Sequence, residues 1–574
     1  MPEYLSPGVF IEEFESGGVP VAGVSTSTAG FLGLAQRGEA QGLPELVTSF
    51  ADFQRKFGGY LPENQFGEYR FLSYSVEHFF VNGGSRCYVM RVVPEDAKKA
   101  ENTKLDFIKI SAKNPGAWGD RIRILITPVS KAKTQLFEDL GGAQYRVKSA
   151  IGFNEGDIIE FSYEEDTQTK QIKTVQDNVI TLDSEFTGDV IDNEILPTKM
   201  IYTREINIQV SYGDEVEVYD KVSLNITKSN FIEKMLNKSN LIIAKVSIDL
   251  IEGIEKPFNL FAGEDVEKGK TFLDFSGGSD GTLDKISAAD FMGSDNGPGK
   301  RSGIKAFVDN EDVSIMAVPG VTDPAVQLDL IAHCENKANR FAILDIPQET
   351  KKVNDLKAWR NMFDSSYAAA YHPWLKVFDP MDKRNIHIPP SGSMAGVYAR
   401  SDNTRGVHKA PANEVVRSCL SLDCQYSKGE QDVLNPIGIN LIRAFTGQGI
   451  RVWGARTLSS NPLWRYVNIR RLFIFIEESV KRSTDWVVFE PNDEELWARV
   501  QRSLDNFLTG VWRTGALVGA GPSDAYFVKI DRTTMTQDDI DNGRLICVIG
   551  VSPVKPAEFV IFRFTQFTAE SAGE

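Results

Sequence analysis

The segment VSIMAVPG, residues 313–320, decides the fold class of this chain of 574 residues. Its apolar run closes on Pro-Gly, which is typical of a buried strand that ends in a turn. The segment QLDLIAHCENKANRFAILDIP, residues 327–347, has the pattern of a helix followed by a strand. We predict the same order for YAAAYHPWLKVFDP, residues 367–380. Strands that alternate with helices indicate a mostly parallel sheet with right-handed crossovers.

The same α/β pattern occurs nearer the N-terminus and continues towards the C-terminus. Residues 21–94 read as strand, helix, helix and strand, and Ser49 is placed to cap the first helix. We therefore predict that 21–94 and 265–552 form one discontinuous core, with a C-terminal subdomain at about 461–552. The clearest helix of this subdomain is predicted to run from Asn492, its expected N-cap, to Trp512.

Residues 95–264 differ in composition from the rest, because they are rich in short alternating segments and in acids. Between residues 151 and 200, twelve carboxylates stand against three lysines, a balance of −9 within a net charge of −16. A solvated acidic face is the simplest interpretation of this excess. We predict a β-rich outer insertion at 95–264 that contains a small β module at about 145–200.

Both ends of the chain carry short segments with a period of two, which indicates strands. One is YLSPGVFIEEF, residues 4–14, and the other is PAEFVIFRFTQF, residues 556–567. We predict an N-terminal arm at 1–20 and a C-terminal arm at 553–574. Such strands either close a sheet in their own subunit or pair with another molecule, because both arrangements use the same hydrogen bonds.

The segment 392–395, Gly-Ser-Met-Ala, looks like the nucleophile signature of subtilisin-type proteases. Such an enzyme also needs a carboxylate and a base, in the chain order Asp, His, Ser. No Asp-Thr-Gly or Asp-Ser-Gly comes before the histidines, and none of the candidate bases has a His-Gly-Thr context; these are His78, His333, His372 and His387. We expect His78 to be a packed core residue, and a serine hydrolase acting through Ser393 is kept as an alternative.

The composition excludes several other classes of protein. A net charge of −16 argues against nucleic-acid binding. No apolar run approaches about 18 residues, so no membrane insertion is expected. The N-terminus has neither a basic nor an apolar signal region, so we expect no signal peptide and a cytoplasmic location. Five scattered cysteines indicate a reducing compartment. With no nucleotide or metal motif, we expect no cofactor, no metal and no enzymatic activity.

Blocks along most of the chain, in order, resemble the contractile tail sheath proteins of bacteriophages and phage-like injection systems. Only residues 95–264 match poorly. The core of this family has been likened to subtilisin, which would explain the segment 392–395 without proteolysis. The matching blocks are YLSPGVFIEEF (4–14), FSGGSDG (275–281), VSIMAVPG (313–320), IPPSGSMAGVYARSDNTRGVHKAPAN (388–413), WRYVNIRRLFIFIEESVKRSTDWVVFEPNDEELW (464–497) and PAEFVIFRFTQF (556–567).

The resemblance implies a structural subunit that polymerises as a six-fold helical tube around an inner tube and contracts from a metastable extended state. The implied partners are further copies in stacked hexameric rings, an inner tube protein, baseplate and tail-terminator or cap proteins, and paralogous sheath proteins. The particle is either a virion tail or an extracellular injection system. A static structural shell protein is a further alternative.

The resemblance also implies that the arm strands join sheets in neighbouring subunits. The segments 15–23 and 552–558 would then be the hinges of the arms. Arg499 and Arg502, on the predicted helix from Asn492, are candidates for contacting the inner tube. The residues implied to pair between subunits are Val9, Phe10, Ile11, Phe14, Phe559, Val560, Ile561, Phe562 and Phe564.

Overall fold

The computed structural model describes residues 21–104, 108–163, 166–187, 199–246 and 271–563. These residues divide into two compact units. In the first unit the described residues are 21–35, 41–92 and 287–563, and in the second they lie within 36–40 and 93–286. None of the described helices is both long and apolar enough to cross a membrane.

The first unit is built around an eight-stranded sheet whose six inner strands are parallel. Only the two edge strands are antiparallel to their neighbours. The inner strands are almost continuously apolar because helices cover both faces of such a sheet. This confirms the predicted α/β core with a mostly parallel sheet. In spatial order the strands are Glu45–Val47, Cys87–Val92, Ala29–Leu34, Ile315–Ala317, Phe341–Asp345, Ala368–His372, Ile439–Phe445 and Gly449–Val452.

Two smaller sheets and a set of helices complete the first unit. One small sheet contains Leu375–Asp379, Arg384–Ile388 and Ser421–Leu422, and the other pairs Tyr526–Lys529 with Val548–Val551. The described α-helices are Phe50–Phe57, Glu63–Phe66, Leu72–Asn82, Ala288–Met292, Pro324–Lys337, Val353–Arg360, Ser391–Arg405, Lys428–Leu434, Val467–Ser483, Glu494–Arg513, Pro522–Ala525 and Gln537–Asp541.

The structure confirms one of the two predicted helix N-caps and corrects the other. Ser49 caps its helix as predicted, because its hydroxyl accepts from the amide of Asp52 at 3.1 Å. The helix Glu494–Arg513 is capped by Asp493, which accepts from the amide of Leu496, and not by Asn492. The Asn492 side chain instead accepts from the indole of Trp497 at 2.7 Å. A competing side-chain donor therefore moved the cap by one residue.

The predicted helix within residues 367–380 is wrong. The chain forms two strands there, Ala368–His372 and Leu375–Asp379. Alanine favours helices in isolation, but the run lies fully buried between two parallel strands, where small side chains fit beneath the covering helices. Pro373 also disfavours a helical conformation at His372.

The helix Ser391–Arg405 packs with its backbone against the helix Leu72–Asn82. A methyl group at Gly392 would lie 2.4 Å from the carbonyl oxygen of Ser75, and one at Gly396 would lie 2.5 Å from that of Phe79. Neither distance is compatible with a side chain. The small residues of the subtilisin-like segment are therefore explained by helix packing.

The second unit is rich in strands and contains the predicted β module as a closed six-stranded barrel. Its apolar interior includes Tyr145, Phe161 and Phe186. The module begins at Lys133, earlier than predicted. In spatial order its strands are Asp166–Gln176, Val179–Leu182, Gln144–Val147, Lys133–Gly141, Met200–Thr203 and Ile158–Tyr163.

Two further sheets complete the second unit. The predicted return to the core at residue 265 differs from the structure, because Thr271–Asp274 pairs with Arg123–Val129 inside the second unit, which extends to Ile286. A short helix, Ile232–Leu236, precedes the strand Ile242–Val246. The sheets contain Glu215–Val222, Glu205–Tyr212, Arg123–Val129 and Thr271–Asp274, and Ile242–Val246, Ile108–Ala112 and Glu101–Asn102.

We predict that Gly396→Ala lowers the free energy of unfolding by roughly 1–3 kcal/mol, because the added methyl separates the two helices. Gly429→Ala is the matched control: this helical glycine is exposed, and an added methyl has no atom within 4 Å. The control should be neutral or stabilising by about 0.5–1 kcal/mol. Urea unfolding followed by circular dichroism measures both. Equal effects at the two positions would contradict the packing explanation.

Candidate functional site

The C-terminal arm leaves the first unit next to the two-stranded sheet Tyr526–Lys529 and Val548–Val551. The amide of Val554 donates to the carbonyl of Ala516 at 3.1 Å. Four residues later, the Glu558 carboxylate is held by three side chains, which we call with it the Glu558 anchor: Arg456, Asn435 and Tyr466.

The Glu558 anchor is a charge-assisted contact in a largely buried position. Arg456 is 6% exposed and donates from two nitrogens to the two carboxylate oxygens, at 2.9 and 2.6 Å. Asn435 adds a hydrogen bond at 2.5 Å and Tyr466 one at 3.1 Å. Burial alone would raise the pKa of Glu558, but hydrogen bonds from Arg456 and Asn435 hold the pKa below its usual value. The carboxylate therefore stays charged and bound at neutral pH.

The four residues after Glu558 are apolar, and the described chain there has no sheet partner. Phe559, Val560, Ile561 and Phe562 are each between 67% and 79% exposed. No strand is assigned to the described residues 559–563. Phe564 lies outside the described residues. That these side chains pair with another subunit stays a prediction, and their exposure leaves the backbone available for it.

The predicted N-terminal arm residues Val9, Phe10, Ile11 and Phe14 also lie outside the described residues. The segment that follows the arm, 21–28, is bound along the helix Val467–Ser483. The amides of Ala22 and Val24 donate to the hydroxyls of Ser483 and Ser479, each at 3.1 Å. Side-chain oxygens of the helix thus take the place of a strand partner for this segment.

A buried ion pair fixes the same segment more deeply. Asp402 and Arg471 make two hydrogen bonds of 2.9 and 2.6 Å, and both side chains are less than 5% exposed. The hydroxyl of Thr26 donates to Asp402 at 2.6 Å, and Arg471 donates to the carbonyl of Thr26 at 2.8 Å. The guanidinium also lies 4.7 Å from the ring centre of Tyr398. Every charge in this cluster therefore has a partner, as burial requires.

These contacts correct the predicted hinges. The segment 552–558 is held at Ser552, Val554 and Glu558, so it cannot turn as a unit. The proposed hinge of the C-terminal arm moves to the residues after Glu558. At the other end, Ala22 within the predicted hinge 15–23 is already bound to Ser483. Proline and glycine suggested freedom, but side chains distant in sequence remove it.

The two candidate tube-contact residues differ in their surroundings. Arg499 is bound to Glu490 at 3.1 Å and lies 5.6 Å from the ring centre of Trp486, so its charge already has partners within the chain. Arg502 is exposed and donates to the carbonyl of Ala498 at 3.3 Å, one turn earlier in the helix. Contact of either residue with an inner tube stays a prediction.

The structure supplies a base for Ser393 that the sequence pattern did not indicate. The Ser393 hydroxyl lies 3.2 Å from Nδ1 of His78. Burial lowers the pKa of His78 to about 4, so the ring is neutral at pH 7. Burial also raises the pKa of Asp345 to about 6, but this carboxyl accepts from the hydroxyl of Ser391 at 2.6 Å. It contacts Ser391, and not His78 as an orienting carboxylate would.

The Ser393–His78 pair is sealed inside the first unit. Ser393 is 0% exposed, and the backbones of two helices meet on either side of it. The chain order is also His78, Asp345, Ser393, and not the order Asp, His, Ser of subtilisin-type enzymes. A substrate cannot reach this hydroxyl in the folded state. The pair acts as an ordinary buried hydrogen bond between two helices.

Comparison with protein families identifies the chain. A model described as the phage tail sheath protein central domain matches residues 285–458, and one for the phage tail sheath C-terminal domain matches residues 459–567. Residues 285–567 belong to the phage tail sheath family. The second match includes Glu558, Tyr466 and the exposed residues after Glu558, the first match includes Asn435 and Arg456, and residues 95–264 lie outside both matches.

Individual sheath proteins are distant relatives. The tail sheath protein of Salmonella phage ViI is 25% identical over 293 residues, which cover 46% of this chain and 45% of that protein. A putative prophage major tail sheath protein of Pseudomonas aeruginosa strain UCBPP-PA14 is 23% identical over 287 residues, covering 48% of this chain and 72% of that protein. The chain thus spans less than half the length of the phage ViI sheath protein.

The fold also matches a solved sheath. The sheath complex of an extracellular contractile injection system, PVC, in its contracted state has a TM-score of 0.53 and 23% identity, covering 99% of this chain and 100% of that chain. At this identity the likeness shows a shared fold.

The Glu558 anchor was not predicted, because Glu558 and Arg456 are separated by 102 positions and leave no local pattern.

We predict that a fluorophosphonate probe does not label Ser393 in the native sheath protein, because the hydroxyl is buried. Mass spectrometry of the treated protein checks this. Ser393→Ala should lower the free energy of unfolding by about 1–3 kcal/mol, since it leaves His78 without its hydrogen-bond partner. Stoichiometric labelling of Ser393 that is lost in Ser393→Ala would instead support a hydrolase.

We predict that Glu558→Gln loosens the start of the C-terminal arm. Loss of the charged acceptor should cost about 1–3 kcal/mol locally and speed hydrogen exchange of the Val554 amide, which is bonded to Ala516, roughly tenfold or more. Glu494→Gln is the control, because Glu494 pairs with Arg532 on the exposed surface at 3.3 Å. Unchanged exchange at Val554 in Glu558→Gln would mean that the anchor does not hold the arm.

Proposed function

We propose that this chain is the subunit of a contractile sheath, in a phage tail or an extracellular injection system. We further propose that its arms connect neighbouring copies by pairing with their sheets. The observation that carries the proposal is the apolar, unpaired segment that follows the Glu558 anchor. If this segment paired within its own subunit, Phe559–Phe562 would be buried against a sheet of that subunit. Exposed apolar side chains with unpaired backbone are a hazard unless another chain covers them.

The same chain offers a candidate for the surface that would receive an arm. The sheet of Tyr526–Lys529 and Val548–Val551 has only two strands, and a two-stranded sheet is marginal by itself. Its exposed residues include Phe527 and Val548. Arms from neighbouring copies would extend this sheet by β-augmentation and cover those side chains. Because every copy both gives arms and receives them, the contact repeats without limit.

The energetics suit a sheath that changes its length. If an arm makes about five backbone hydrogen bonds worth roughly 1 kcal/mol each, one arm contributes only several kcal/mol. A single arm that pairs wrongly during assembly can therefore dissociate and pair again. Hundreds of arms in one tube keep it continuous while the first units slide past one another.

In this proposal the subunit works by conformational change and not by catalysis. The sheath assembles around an inner tube as stacked six-fold rings in a metastable extended state. A baseplate trigger releases one ring, and each ring biases the next towards denser packing, which drives the inner tube forward. The energy is stored at assembly as a bistable packing, so no nucleotide or cofactor is required. Tail-terminator or cap proteins, and paralogous sheath subunits, would complete the particle.

We predict that deletion of residues 559–574 abolishes tube formation and leaves the subunit folded. The described part of the deleted segment is exposed and outside every sheet, so the cores should keep their thermal midpoint. Negative-stain electron microscopy of the concentrated chain, alone and with its inner tube protein, measures assembly. Wild-type chain should form hollow tubes or stacked rings of one diameter.

Deletion of residues 1–20 provides the matching test of the other arm. The ties from Ala22 to Ser483 and from Thr26 to Asp402 remain in this variant, so only the proposed exchange strand is lost. It should also fail to form tubes. Normal tubes from either truncated chain would overturn the arm mechanism. Wild-type oligomers with one fixed geometry, before and after contact with a baseplate, would instead favour a static shell.

A further inference from the structure

A strained turn projects from the first unit between the helices Val467–Ser483 and Glu494–Arg513. The amide of Glu490 donates to the carbonyl of Val487 at 3.2 Å and closes a four-residue turn. Val488 has φ −68° and ψ 128°, and Phe489 has φ 71°. These angles define a type II turn, whose third position favours glycine because a side chain is crowded there. Phenylalanine at this position is therefore held in an unfavourable conformation.

Packing within the chain does not offset this backbone strain, because Phe489 is fully exposed and Val488 is 63% exposed. The turn is nevertheless held firmly from behind. Arg499 binds Glu490 at 3.1 Å, and its guanidinium lies over the ring of Trp486, which packs on the core below. A rigid support that presents a strained, exposed aromatic side chain fits a contact residue, since aromatic anchors dominate protein interfaces.

The residues on either side of the turn are acidic. Asp485 and Glu490 flank it, and Glu494 and Glu495 follow in the first turn of the next helix; all four are exposed. Glu490 pairs with Arg499 and Glu494 with Arg532, which leaves Asp485 and Glu495 without an ion pair among the described residues. The surface that receives Phe489 should therefore combine apolar side chains with uncompensated positive charge.

A surface with that character lies on the same chain, within residues 413–420. Leu420 is 60% exposed and Val415 38% exposed. Arg417 is exposed, and Arg451, which pairs with Val415 across an isolated bridge, donates only to oxygens of Asn413 and Gln448. Neither arginine has a carboxylate partner among the described residues. We call Val415, Arg417, Leu420 and Arg451 the Leu420 patch.

We propose that the Phe489 turn of one copy docks on the Leu420 patch of another copy. The two surfaces are different, so the contact is heterologous, and each copy can receive one neighbour while it engages the next. Such a contact builds rings or helical filaments and not closed two-fold dimers. The inference rests on the proposed assembly of the chain and adds a core-to-core contact that is separate from the arms.

Phe489→Gly separates a role in binding from a role in folding. Glycine suits the third position of a type II turn, so the thermal midpoint of the variant should stay the same or rise. The protein concentration needed for half of the chain to pellet as assemblies should rise about tenfold or more. Ile151→Ala removes another exposed apolar side chain, 88% exposed, and should leave that concentration unchanged.

Cross-linking tests which surface receives the turn. In a Cys419→Ser background, which removes the thiol next to the patch, we would prepare Phe489→Cys and Leu420→Cys as separate proteins. Mild oxidation of a mixture should give a dimer that contains one chain of each kind. Neither variant alone should give that product, nor should Phe489→Cys mixed with Leu463→Cys, whose position is also exposed.

Four outcomes would overturn the proposal. A Phe489→Cys dimer formed without the second variant would indicate a two-fold contact. Unchanged assembly of Phe489→Gly, or no cross-link in assembled protein, would mean that the turn binds something else, such as the inner tube. Wild-type chain that stays monomeric under all conditions would overturn both this contact and the proposed assembly, whereas normal assembly of Phe489→Gly would overturn only the contact.

Discussion

The helix Ser391–Arg405 lies backbone to backbone against the helix Leu72–Asn82, because Gly392 and Gly396 have no side chain to separate them. Several other contacts depend on this approach. It brings Ser393 to His78, and it places Tyr398 where its hydroxyl meets that of Tyr371 at 2.7 Å. One pair of glycines therefore sets how closely the helix Ser391–Arg405 approaches the helix Leu72–Asn82. A larger residue at either position would move all of these groups together.

The same helix connects the central sheet to the beginning of the N-terminal arm. Asp402, on its last turns, binds Arg471 and the hydroxyl of Thr26. Arg471 belongs to the helix Val467–Ser483, whose 17 residues span about 25 Å. The segment after the N-terminal arm is bound near the C-terminal end of this helix, and the Glu558 anchor includes Tyr466 at its N-terminal end. The described segments next to both predicted arms are thus bound to one helix, so in the proposed assembly a pull on either arm would reach the other through that helix.

The sequence was a good guide wherever a local pattern determines the structure. Alternating strands and helices predicted the parallel sheet, and Ser49 predicted a helix cap. The pattern failed where distant residues decide: burial between two strands outweighed the helical preference of the alanines at 368–370, and Trp497 took Asn492 away from its expected cap. The anchors of the arms were missed for the same reason. Proline and glycine near Val554 and Ala22 suggested freedom that Arg456 and Ser483 remove.

The chain is tightly bound up to Glu558 and has no sheet partner directly after it. The proposed assembly of sliding subunits requires both properties. If the arm were loose from residue 552, its flexible length would absorb displacement, and little force would pass between neighbouring copies. If the anchor continued through Phe562, the strand could not reach another sheet. Fixing Glu558 with a buried arginine and leaving the next residues exposed places the change from rigid to adaptable chain at one position. In the proposed assembly, the ion pair would define where a neighbour's movement first acts on the core, and its buried geometry resists screening by salt far better than a surface pair would.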